Sequence, residues 1–97
     1  MVSFNMTLLS LLTATDLQKN LADTIRAKRK QAKFSRQALA ERSTVAASTI
    51  KKFETTGQIS LRQFLLLWQT LDSLDRVNEL TKIQPKVPRS IEEVLTL

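Results

Sequence analysis

The sequence contains no cysteine, no histidine and no tyrosine among its 97 residues. Without thiols there is no disulfide frame, and without thiol or imidazole no Cys/His zinc site can form. A Ser/His triad and a tyrosine nucleophile are excluded on the same grounds. One glycine, Gly57, and two prolines, Pro85 and Pro88, are all that break the chain, which favours helices joined by short polar turns. The nine carboxylates show neither paired nor metal-ligand spacing, so the chain reads as a non-enzyme without cofactor or metal.

Charge is abundant but concentrated in one place. Fifteen Lys and Arg residues against nine Asp and Glu give a net +6. Between Lys19 and Lys52 ten basic residues face only two acidic ones, Asp23 and Glu41, and the flanking segments are each slightly negative. A localised positive field points to a polyanion, either nucleic acid or an acidic membrane surface. The hydrophobic share of 42% and charged share of 25% are those of a folded domain, and the length allows one small core. The apolar start MVSFNMTLLSLL has no basic residue before it and no small-residue cleavage pattern. It is also only about half the roughly 20 residues needed to span a bilayer, so a cytoplasmic protein is expected.

Along the chain, Val2, Phe4, Met6 and Leu8 alternate with Ser3, Asn5 and Thr7, the period of a half-buried strand within an N-terminal segment 1–12. Such a strand needs a partner, for example its copy in a second subunit; the alternative is an irregular start packed on the body. Thr13 and Asp16 have capping-box spacing and open a helix to about Lys33, with Leu17, Leu21, Ile25 and Ala32 inward. Lys19, Arg26, Lys30 and Lys33 take its far side, Arg29 the edge of the apolar stripe, and Lys28 a place inside it. Ser35 caps a second helix from Arg36 to about Ser43, and a third runs from about Ala46 to Glu54, ahead of Gly57. Ser60 caps a fourth, whose core face is expected to be Leu61, Phe64, Leu65, Trp68 and Leu71, with Leu66 nearly opposite. A fifth runs from Leu74 to about Lys82 through Val77 and Leu80. In the tail, 83–97, Pro85, Val87 and Pro88 impose an extended path before Ser90 and Glu93 repeat the capping-box spacing of a short docking helix.

Two short helices with a tight turn between them, inside the basic block, suggest a helix-turn-helix. The stretch FSRQALAERSTVAASTIKKFETTG, residues 34–57, resembles the helix-turn-helix of the phage-repressor-like (XRE) transcription regulators. IRAKRK before it and ISLRQFLLLWQTLDSLDRVNEL after it extend the resemblance over residues 17–82, and the whole is most like the HipB-type antitoxin repressors. The resemblance implies an all-α, five-helix lambda-repressor-like DNA-binding domain over 13–82. It further implies a homodimer on a palindromic double-stranded operator that represses transcription of its own operon, with a HipA-like kinase toxin as partner. A stand-alone regulator of the same fold is the alternative. A basic membrane-surface or protein-interaction module accounts for the charge but not for the spacing.

Beside that resemblance, Leu39, Val45, Ile50 and Phe53 are spaced so that the two helices share one small core, and Ala40 is small enough for close approach. The third helix then presents Ala47, Ser48, Lys51 and Lys52 outward. Ser35 and Arg36 suit backbone phosphates through a hydroxyl, helix N–H groups and a guanidinium. Ser48 suits a base edge, Ala47 a thymine methyl, and Lys51 or Lys52 guanine or phosphate; Thr49 completes the DNA-binding set. The resemblance also implies a structural ion pair of Arg29 with Glu54. Two departures stand out. Thr44 occupies the place of the family's turn glycine, and Ala46 that of its Ser/Thr cap. A recognition helix beginning at Ser48 instead of Ala46 would move the base-reading residues by two positions.

Overall fold

The first helix is opened by a reciprocal cap. The Thr13 hydroxyl accepts from the Asp16 N–H at 3.0 Å while the Thr13 N–H donates to the Asp16 carboxylate at 3.2 Å. The computed structural model describes residues 11–83, which contain five α-helices and a final 3-10 turn and, among these residues, no strand. We number them α1 (Ala14–Gln31), α2 (Arg36–Ser43), α3 (Ala47–Thr56), α4 (Leu61–Leu71) and α5 (Leu74–Asn78), with the 3-10 turn at Glu79–Thr81. The strand expected at residues 2–8 and the helix expected from Ser90 lie outside the described residues.

Local chemistry sets the boundaries. Ser35 and Ser60 cap α2 and α4 by accepting from the Ala38 and Gln63 N–H groups at 3.0 and 3.1 Å. Gly57 ends α3 in the left-handed region (φ 79°), donating its N–H to the Phe53 carbonyl. A side chain at Gly57 would also be crowded, because its Cβ would lie 3.2 Å from that of Gln18. Helix α1 ends at Gln31, two residues before the expected end; Lys33, at φ 61°, turns the chain away, and the Phe34 N–H returns to the Arg29 carbonyl.

The helices close over Ala22, Ile25, Leu39, Val45, Ile50, Phe53, Leu67 and Trp68. Full burial of each large apolar side chain contributes about 1.5–3 kcal/mol. Phe53 of α3 meets Phe64 of α4 edge-on at 6.0 Å. Several inward assignments are corrected here. Leu17 and Ala32 are exposed, and Ala22 takes the buried place on α1. On α4, Leu67 is fully buried whereas Leu61 is 73% exposed. Leu66 is not a free outward residue, because it packs against the core. The fifth helix stops at Asn78, and Leu80, in the 3-10 turn, is exposed.

Lys28, expected inside the apolar stripe, reaches out to Asp72 at 2.7 Å, with its ammonium 5.4 Å from the centre of the Trp68 ring. Arg76 holds the same Asp72 oxygen at 2.8 Å and lies 5.6 Å from the same ring. The Trp68 indole N–H donates to the Ser73 carbonyl, closing the α4–α5 corner. The Lys28 hydrogen bond, then the Ser73 N–H and Arg76, bring the Asp72 carboxyl down to about 2. A carboxyl lowered in the folded state contributes stability that is present above its unfolded value and lost as pH falls through its folded one. Asp72→Asn should therefore flatten the melting temperature between about pH 4 and pH 2, as followed by circular dichroism.

Candidate nucleic-acid interface

The α2–α3 corner turns on Thr44. Its backbone takes the left-handed conformation (φ 65°), a region that favours glycine, and its N–H donates to the Ala40 carbonyl. A β-branched side chain in that region costs about 1–2 kcal/mol. Ser43, buried beside it, accepts the Val45 N–H through its hydroxyl at 3.1 Å. Helix α3 begins at Ala47 with Ala46 as its cap, so the later start at Ser48 does not occur, and no side chain caps it. Two substitutions follow. Thr44→Gly and Ala46→Ser should each raise stability by about 0.5–1.5 kcal/mol, additively if measured together by denaturant titration.

One side of α3 is buried and the other is open. Ile50, Phe53 and Glu54 face the bundle; Ser48, Lys51, Lys52 and Thr55 are exposed, at a spacing that puts all four on one stripe at about 100° per residue. Ala47 and Thr49 flank the stripe and are half-buried. Among the described residues neither Lys51 nor Lys52 has an ion partner. The Thr55 hydroxyl donates to the Lys51 and Lys52 carbonyls, and that of Thr56 to Lys52, so the threonines turn their polarity onto the helix. Ser35 is exposed at the N-terminus of α2, its hydroxyl engaged in the cap.

Beneath the stripe lies the expected ion pair. Arg29 binds Glu54 in a two-pronged fashion, Nε to Oε2 at 2.7 Å and Nη2 to Oε1 at 3.0 Å, and spends Nη1 on the Phe34 carbonyl at 2.9 Å. Both partners are buried, with the Glu54 side chain 1% exposed. Arg36 joins them, its Nε 3.1 Å from Glu54 Oε1, so one carboxylate ties α1, α2 and α3 together. Burial by itself would raise the Glu54 pKa; the hydrogen bonds and charges of Arg29 and then Arg36 outweigh it and hold the carboxyl below its ordinary value. Among the described residues no buried side-chain nitrogen or oxygen lacks a hydrogen-bond partner.

Arg36, Ala47, Ser48, Thr49, Lys51 and Lys52 thus lie on the two helices that form this corner, and Ser35 caps the first of them. Sequence reasoning assigned Arg36 to phosphate alone and missed its bond to Glu54. The available signal was Glu54 just past a basic block that holds four arginines, Arg26, Arg29, Arg36 and Arg42. It also left out Arg42, exposed over the Phe34 ring at 4.6 Å, and Gln18, whose side chain donates to the Gly57 carbonyl at 3.2 Å. The described residues hold no cluster of three His, Cys, Asp or Glu side chains suited to a metal, and no helix long and apolar enough to cross a membrane. No protein-family model, no curated protein and no solved structure matches the chain.

Proposed function

We propose that the chain is a sequence-specific DNA-binding repressor of the lambda-repressor-like type, with α3 as its recognition helix in the major groove. The observation that carries this reading is the open face of α3, where Ser48, Lys51 and Lys52 are exposed and the two lysines have no ion partner among the described residues, while its inner face is fixed to two other helices through Glu54. A helix held in one orientation can present side chains to base edges in register, and lysine and serine are donors suited to guanine and phosphate. The exposed cations Lys19, Arg26, Lys30, Lys33 and Arg42 add a field that draws the duplex toward the domain.

A single domain of this size offers few base contacts, so useful specificity calls for two copies on half-sites about one helical turn apart. Within this reading the protein is the autoregulatory antitoxin of a HipA-like kinase, and its first target is the DNA upstream of its own gene. A gel shift with that duplex is expected to show affinity falling at least tenfold between about 50 and 200 mM salt, as counterion release requires. A flat salt response would remove phosphate contacts from the account. Co-purification with the product of the adjacent gene separates the antitoxin from a stand-alone regulator.

A further inference from the structure

We infer that Glu54, which is almost entirely out of contact with solvent, is the positioning residue for a phosphate-binding fork formed by Arg36 at the start of α2. The inference rests on the DNA-binding reading above and adds a residue that would not itself touch DNA.

The geometry distinguishes the two arginines. Arg29 is used up inside the protein, since its Nε and Nη2 go to Glu54 and its Nη1 to the Phe34 carbonyl. Arg36 meets Glu54 through Nε alone, and its side chain stays 35% exposed. One carboxylate facing two guanidinium groups leaves a surplus positive charge, and Arg36 is where that surplus reaches the surface. Arg36 is also the first residue of α2, where backbone N–H groups lack partners within the helix and favour an anion.

A bond to Nε fixes the rotation of the planar guanidinium. The outer Nη groups are then presented as a fork of set direction, the geometry that suits phosphate oxygens. The loss of side-chain freedom falls on folding, not on binding, which favours affinity. A lysine here would keep the charge and lose both the anchor and the fork. Glu54 would therefore govern DNA affinity along two routes: through Arg29 it orients α3, and through Arg36 it orients a phosphate contact on α2.

The experiment is a double-mutant cycle on the full chain. Dissociation constants for the upstream duplex are measured from 50 to 200 mM salt for the wild type, Arg36→Ala, Glu54→Gln, the double variant and Arg36→Lys, with thermal melts of each. Arg36→Ala and Glu54→Gln are each expected to weaken binding about tenfold, as for loss of a charge-assisted hydrogen bond. The double variant should bind clearly more tightly than the roughly hundredfold loss of two independent effects, because the Arg36 route is common to both substitutions and only the α3 route adds to it. Arg36→Ala should lower the salt slope by about one phosphate contact. Arg36→Lys should bind almost as poorly as Arg36→Ala.

An equal loss from Glu54→Gln in the Arg36→Ala background as in the wild type would overturn the inference, because Glu54 would then act through α3 alone. Wild-type affinity in Arg36→Lys would overturn it too, and this comparison decides the matter if Glu54→Gln fails to fold. A wild type that does not bind the duplex overturns the DNA reading itself. An additive cycle in a wild type that does bind overturns only the role of Glu54 toward Arg36.

Discussion

Replacing Lys51 and Lys52 together by alanine is expected to weaken binding to the upstream duplex at least tenfold, from about 1–3 kcal/mol for each good base contact or the loss of two phosphate contacts. The melting temperature should move by no more than a few degrees. Both side chains are exposed and neither has an ion partner among the described residues, so their removal leaves no cavity and no orphaned charge. Alanine is moreover the best helix former. The two readouts together carry the argument. Loss of binding with an intact melt assigns the lysines to the interface, whereas unchanged binding would place the duplex elsewhere on the protein. A gel shift at fixed salt and a melt by circular dichroism suffice.

The second large effect is on stability. Glu54→Ala is expected to cost about 3–5 kcal/mol, because it strands the buried Arg29 guanidinium without its counter-charge. In a domain of this size that corresponds to a drop in Tm of more than about ten degrees. The penalty belongs to the broken pair, not to the lack of a pair. Replacing Arg29 by Met and Glu54 by Leu together should return most of the stability, since desolvation offsets much of the Coulomb attraction in the native arrangement. A double variant as unstable as Glu54→Ala would show instead that the ionic triad contributes strongly in its own right. The same carboxylate gives an acid signature. With its folded pKa below the ordinary value, Glu54 contributes stability above the normal carboxylate range and loses it as pH falls beneath that range. The melt of the Met/Leu double variant should lack that part of the acid response.

Much of this architecture is written in short-range chemistry. Thr13 with Asp16, Ser35, Ser60 and Gly57 each mark a helix end at the residue where the fold places it. Leu39, Val45, Ile50 and Phe53 are buried together as their spacing implies. The inward face of α4 was harder to read, because leucines at 61, 65, 66, 67 and 71 surround most of the helix and periodicity alone cannot rank them. Packing decides: Leu67 and Trp68 are the buried residues of a helix that packs on α1 and α2, and Leu61 is left at the exposed first turn. The bond between Arg36 and Glu54 was invisible for a different reason. Residues 18 apart in sequence meet only once the corner at Thr44 has set the angle between α2 and α3. The pairing of Lys28 with Asp72 joins α1 to the end of α4 and depends in the same way on tertiary closure.

The division of labour within α3 has a consequence for how such a protein can change its target. Among the described residues, the buried contacts and ion pairs that hold the helix leave from its inner side, through Ile50, Phe53 and Glu54, and none involves the side chains of Ser48, Lys51 or Lys52. The outward positions can therefore be rewritten like the teeth of a key whose shank is kept. On the proposed reading, a new operator preference needs only a few surface substitutions and no repacking of the body that carries them.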